Sequence, residues 1–177
     1  MRLRRRLAHL VAVTVVMSGG VVGVVAGTAT PAHALSCYDG WMRNEWNGKY
    51  VSVEKNYTGV DKYMLRARRA YPPGPWERFE FCWGVDNNPA NVAIRSLYNG
   101  KWVSAELGYG GGRYAMLRAR NDSIGPWETF NSSVGLRNVK NWLWVTAELN
   151  YGGGLYAMLR ARTDHYGAWE HFTNPGP

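Results

Sequence analysis

One unit occurs three times in this chain, and no other feature narrows the fold as much. Residues 47–79 read NGKYVSVEKNYTGVDKYMLRARRAYPPGPWERF. Residues 99–130 read NGKWVSAELGYGGGRYAMLRARNDSIGPWETF, and residues 141–172 read NWLWVTAELNYGGGLYAMLRARTDHYGAWEHF. Shorter matched stretches around Arg43, Arg95 and Arg137 precede the copies. The marker tryptophans Trp76, Trp127 and Trp169 lie 51 and 42 residues apart. Units of that length build propeller blades, trefoil lobes or solenoid turns, and a propeller needs at least about four of them.

Within a unit the pattern is β, with no helical period. The stretch around Arg95 gives a first strand, and Asn99-Gly100 a hairpin turn, since both residues tolerate positive φ. Residues 102–106 give a second strand, Tyr109-Gly-Gly-Gly a turn, and residues 115–120 a third strand. The Gly125-Pro126 turn then leads into a fourth strand over 127–130. Three such units predict an all-β chain, a β-trefoil of three four-stranded repeats: a six-stranded barrel closed by three hairpins. The repeats fall at about 35–84, 85–131 and 132–177 of a single domain.

Side chains alternate between the two faces of a strand. Val51 and Val53, with Val103, Ala105, Val145 and Ala147, share one face of the second strands. Leu65 and Ala67, with Leu117, Ala119, Leu159 and Ala161, share one face of the third. These are predicted to point inward. The opposite face then carries Tyr50, Ser52, Glu54, Met64, Arg66 and Arg68 outward, with the same expectation for their counterparts in the other copies.

The first 34 residues read as an address. Residues 1–6 hold four arginines, an uncharged run follows, and Ala32-His33-Ala34 is a small-x-small cleavage site. This is the layout of a secretory signal peptide, so export is expected, with no membrane association after cleavage. Of the 21 basic residues in the chain, 17 then remain against 13 acids. That modest excess argues against nucleic acid as the partner. In an oxidising compartment Cys37 and Cys82 are expected to form a disulfide. Closing a loop of about 45 residues is worth about 4 kcal/mol in the chain-entropy view. Outside the leader only His165 and His171 accompany the two cysteines, too few for a Cys/His zinc cluster, and no metal or cofactor is expected.

Several recurring residues are candidates for binding. Tyr50, Trp102 and Trp144 read either as outward sugar platforms or as packing between lobes. Tyr57, Tyr109 and Tyr151 stand in the Gly-rich turns, where a ring lies beside exposed backbone N–H groups. Glu54, Glu106 and Glu148 face the Leu-Arg-Ala-Arg arginines, so cross-strand pairing with Arg68, Arg120 and Arg162 competes with capture of an anionic ligand. Trp76, Trp127 and Trp169, each followed three residues on by Phe, fit core positions better than sugar-stacking ones. Every acid recurs in one repeated setting, whereas a glycosidase dyad needs two acids in unlike environments, so no enzyme activity is expected.

The ordered set Asn-Gly-Lys-aromatic-Val-Ser-x-Glu, Leu-Arg-Ala-Arg and Gly-Pro-Trp-Glu-x-Phe resembles the fascin-like β-trefoil family over nearly all of residues 35–177. Copy three departs most, with Asn141-Trp142-Leu143 and Gly167-Ala168. The resemblance implies the trefoil. It also implies two partner classes: actin, bundled by several trefoils in tandem, or polysaccharide, for similar single trefoils in secreted bacterial proteins. The Gln-x-Trp signature of ricin-type lectins is absent, as the chain has no Gln. The expectation is a secreted, monomeric, non-catalytic module. It binds polysaccharide or another glycan through Tyr50, Trp102, Trp144, Tyr57, Tyr109, Tyr151 and the Glu/Arg pairs. The alternative is an extracellular protein partner, a hydrolase or a filament, engaged through the distinctive loop 69–75.

Overall fold

The computed structural model describes residues 34–173. The predicted leader, residues 1–34, lies outside the described residues save Ala34. Copy one supplies β1 (Ser36–Trp41), β2 (Arg43–Asn44), β3 (Lys49–Val53), β4 (Leu65–Arg69) and β5 (Arg78–Trp83). Copy two supplies β6 (Asn91–Ser96), β7 (Trp102–Glu106), β8 (Met116–Asn121) and β9 (Thr129–Asn131). Copy three supplies β10 (Arg137–Asn138), β11 (Trp144–Ala147), β12 (Leu159–Thr163) and β13 (Phe172–Thr173). The twelve expected strands are thus present, the first one divided at Met42. There the chain leaves β5 for β3 and β13, and the Met42 side chain turns fully into the core.

All pairing is antiparallel. The barrel strands neighbour one another as β1–β5–β6–β9–β10, and β13 meets β2 on the far side. Cys37 lies directly opposite Cys82 in the β1–β5 register, Cα atoms 4.0 Å apart, and the two are joined in a disulfide. Three hairpins, β3–β4, β7–β8 and β11–β12, close one end. Each has a bulge after its first cross-strand pair, at Tyr50/Val51, Trp102/Val103 and Trp144/Val145. The residue skipped in the register is Arg68 or Arg120 in the first two hairpins, and Arg162 in the third. A bulge re-aims the residue it leaves unpaired.

The inward face is as read from the alternation: Val51, Leu65, Ala67, Val103, Leu117, Ala119, Val145, Leu159 and Ala161 are fully buried. Phe79, Phe81, Phe130 and Ile94 fill the barrel between them.

The outward face requires a correction. Met64, Met116 and Met158 are fully buried, and Ser52, Glu54, Arg66 and their counterparts are buried as well. An isolated hairpin would leave this face to water, but three hairpins converge on one axis and bury it against each other. The methionines pack together there, ringed by Tyr57, Tyr109, Tyr151 and Leu155. A cyclic ladder ties the copies: Ala67 N–H donates to Ala157 O (2.8 Å), Ala119 N–H to Tyr63 O (3.0 Å) and Ala161 N–H to Ala115 O (2.9 Å). Arg66, Arg118 and Arg160 extend it, each Nε donating to a carbonyl of the neighbouring copy, at Tyr156 (2.7 Å), Lys62 (2.9 Å) and Tyr114 (2.7 Å).

Candidate functional site

The Gly-Pro-Trp-Glu segments fold differently from the strand start expected of them. In copies one and three they form single 3-10 turns, Pro75–Glu77 and Ala168–Glu170, and in copy two a turn before β9. The cause is the glutamate. Glu77, Glu128 and Glu170 are buried and reach back to accept the N–H of Gly74 (2.6 Å), Gly125 (3.0 Å) and Gly167 (2.8 Å). With Glu drawn in as the cap, the tryptophan before it turns outward. Trp76, Trp127 and Trp169 are therefore not core residues: Trp76 and Trp169 are half-buried and Trp127 is 43% exposed. The core anchors are the phenylalanines three residues on, with Phe79 and Phe130 fully buried and Phe172 partly so.

Each outward tryptophan stands beside the end of a second strand. In copy two the result is a cleft of about 370 Å³ between Ser104 and Glu106 on β7, Tyr109 in the Gly-rich loop, Arg120 on β8, and Trp127 with Glu128. Copy one has two smaller clefts of about 190 and 150 Å³ that share Ser52, Arg68 and Trp76. Copy three carries the same residue types in Thr146, Glu148, Tyr151, Arg162, Trp169 and Glu170.

The polar groups of the clefts are held rigidly. Arg68 is bidentate on Glu54, with Nη2 donating to Oε2 at 2.7 Å and Nε to Oε1. Arg120 grips Glu106 the same way (Nη2 to Oε2, 3.0 Å), and Arg162 grips Glu148 (2.8 Å). The glutamates are buried while these arginines are 38–50% exposed. Hydrogen bonding to the glutamate holds each of these guanidinium groups above its ordinary pKa, against an opposing effect of burial. The tyrosine hydroxyls accept a hydrogen bond from the inner arginines: Arg66 to Tyr57, Arg118 to Tyr109 and Arg160 to Tyr151, each at 2.6 Å.

Of the residues expected at the site, the structure brings together Glu54, Arg68 and Tyr57, Glu106, Arg120 and Tyr109, and Glu148, Arg162 and Tyr151. It does not add Tyr50, Trp102 or Trp144, none of which lines a cleft. Those rings are half-buried, and two of them are covered. Arg95 lies over Trp102 at 5.3 Å, while Arg137 (5.0 Å) and Tyr166 (4.9 Å) flank Trp144. Arg66, Arg118 and Arg160, expected outward, are buried and serve the axis. The sequence signal for the aromatic member was the threefold recurrence of Trp after a Gly-Pro or Gly-Ala turn. Nothing in the sequence alone shows that the following Glu, not the Trp, is buried. Among the described residues, Cys37, Glu80 and Cys82 group as metal ligands would, but the two sulfurs are bonded to each other.

No family model and no curated protein matches this chain. Solved structures do. A designed threefold-symmetric protein, ThreeFoil, aligns over 76% of this chain and 95% of its own at a TM-score of 0.59 and 14% identity. A Caenorhabditis elegans protein of unknown function aligns over 80% and 95% at 0.61 and 8% identity. A mosquitocidal holotoxin aligns over 82% of this chain but only 18% of its own, at 0.59 and 10% identity. The fold is a β-trefoil.

Proposed function

We propose that this protein is an exported, non-catalytic β-trefoil that binds polysaccharide through its repeated clefts. The observation that carries the reading is the cleft seen in copies one and two, whose residue types recur in copy three. In each copy an outward indole stands beside an Arg–Glu pair and a tyrosine whose polar groups are already fixed. An indole face covers the apolar face of a sugar ring, and preorganised polar groups at its edge bind hydroxyls without further ordering cost. Single shallow sites are weak, and three on one molecule raise retention on a polymer by avidity. The aromatic member is the Trp76, Trp127, Trp169 set in place of Tyr50, Trp102 and Trp144. The fascin-like motif set belongs to this proposal as its family assignment, and the disulfide fits the expected export.

Retention on insoluble cellulose, chitin, β-1,3-glucan and xylan in high salt tests it. Trp127→Ala is expected to lower retention about threefold or more without changing the melting temperature, since its ring is exposed. Unchanged retention in a Trp127→Ala, Trp169→Ala protein sinks the site. A second reading, a protein partner held by loop 69–75, is favoured by Tyr71, which stands 80% exposed at its tip. Capture of a secreted hydrolase or filamentous actin that Tyr71→Ala abolishes is its signature.

A further inference from the structure

Copies one and two differ at their clefts, and the difference has a chemical direction. In copy two the buried Glu128 is satisfied at both oxygens, Oε2 by Gly125 N–H and Oε1 by Asn121 Nδ2 at 2.8 Å. In copy one Arg69 replaces that asparagine. Glu77 is 1% exposed, and its Oε1 has no hydrogen-bond partner in the protein. Leaving a buried acceptor unpaired is costly, so such an atom in a cleft wall marks where a donor from outside belongs. Glu77 forms that wall, beside Arg68, Arg69 and Trp76.

Two cations flank Trp76, Arg69 in the cleft of Glu77 and Lys55 in the neighbouring cleft that shares this indole. Arg69 is exposed, and its side chain makes no hydrogen bond or ion pair among the described residues. Lys55 lies with its Nζ 4.0 Å from the centre of the Trp76 ring. The counterparts are Leu107 and Asn121 in copy two, and Leu149 and Thr163 in copy three, none of them charged. Copy two also has a lysine over its indole, with Lys140 Nζ 4.9 Å from the centre of the Trp127 ring, so what sets copy one apart is the unpaired buried acceptor of Glu77 together with the free side chain of Arg69.

Building on the glycan reading of the clefts, we propose that copy one is a specialised subsite for an acidic saccharide unit, one bearing a carboxylate or a sulfate. A ring hydroxyl donates to Glu77 Oε1, while Arg69 and Lys55 hold the anionic group. Neutral units fall to copies two and three. Guanidinium binds carboxylate and sulfate through paired N–H donors, which gives such a site geometry as well as charge.

Calorimetric titration of the purified protein with oligogalacturonate, a heparin-derived hexasaccharide and cellohexaose tests this, the first two separating carboxylate from sulfate. The wild type is expected to bind one acidic probe about tenfold more tightly than the neutral one at low salt, and Lys55→Leu, Arg69→Asn to remove that preference. Arg69→Asn alone restores the copy-two arrangement around Glu77. It is expected to raise the melting temperature by about 2–4 °C while weakening acidic binding. Acidic probes that bind no better than cellohexaose, or a double variant that keeps its preference, overturn the proposal. So does an equal loss for acidic and neutral probes. Failed retention on neutral polymers with the acidic preference intact overturns the repeated-site reading and leaves this subsite standing. Neutral retention without the acidic preference overturns this proposal alone.

Discussion

At the scale of single residues, the departures of copy three from the repeat show which positions the fold enforces. Asn141 keeps the role of Asn47 and Asn99: each Nδ2 donates at 2.8 Å to the carbonyl of the Ala in Leu-Arg-Ala-Arg. The next position is glycine at φ +66° and +70° in copies one and two, but Trp142 at φ +56° in copy three. A side chain in the left-handed region costs about 1–2 kcal/mol, partly offset here by Arg137, which lies 5.4 Å from the Trp142 ring. Trp142→Gly is therefore expected to stabilise the protein by about 0.5–1 kcal/mol, read as a higher urea midpoint at unchanged slope. A lower midpoint would show that the indole contributes more than its backbone costs.

At the scale of the hairpin, the two arginines of Leu-Arg-Ala-Arg do different work. The outer one is the bulged residue that completes a cleft. The inner one holds the copies together. Arg118 is buried and donates to Lys62 O and Tyr109 Oη, and it lies 3.7 Å from Glu106. Arg118→Ala is expected to cost about 2–4 kcal/mol in denaturant unfolding, because it removes a buried guanidinium that packs against Tyr109 and bonds to the neighbouring copy. A cost below about 1 kcal/mol would contradict a role in locking the axis. A second link between copies is Asp61, in the 3-10 turn Gly59–Asp61, bidentate with Arg113 at 2.6 and 2.7 Å. The hydrogen bond from Arg113, helped by its charge and by that of Arg118, holds the Asp61 carboxyl below its ordinary value despite partial burial. The folded state thus binds this proton less tightly than the unfolded chain. Its contribution is complete above about pH 4 and is lost as pH falls through the depressed folded value. The stability gap between wild type and Asp61→Asn is expected to narrow as pH falls below about 4, and a gap that does not narrow with acid would contradict it.

At the scale of the molecule, the disulfide and the threefold axis hold different parts. Cys37–Cys82 staples β1 to β5 inside copy one, whereas the axis network joins all three copies. Reduction is expected to lower stability by about 4 kcal/mol, measured in guanidinium with and without a thiol reductant. The cleft of copy two includes no residue of the stapled strands, so the reduced protein is expected to keep its retention on polymer under native conditions. Loss of retention on reduction would mean that the staple sets cleft geometry. Among the described residues, no helix is long and apolar enough to cross a membrane.

The Cys37–Cys82 pair was legible because the chain has no other cysteine. The repeat, the turn residues and the period-two alternation determined the trefoil and the inner face, because these depend on pattern and on neighbours along the chain. The Glu/Arg partners were legible for the same reason, since Glu106 and Arg120 belong to one hairpin. What lies beyond a single hairpin was decided only by tertiary structure. Convergence on the axis buries Met64, Met116 and Met158 and draws Arg66, Arg118 and Arg160 inward, against the alternation. Capping by Glu77, Glu128 and Glu170 sends each tryptophan outward, and Trp76 and Trp127 line the clefts while Trp102 and Trp144 stand outside them, packed by Arg95, Arg137 and Tyr166. Alternation along a strand tells two faces apart. It takes the other copies to fix which of those faces meets water.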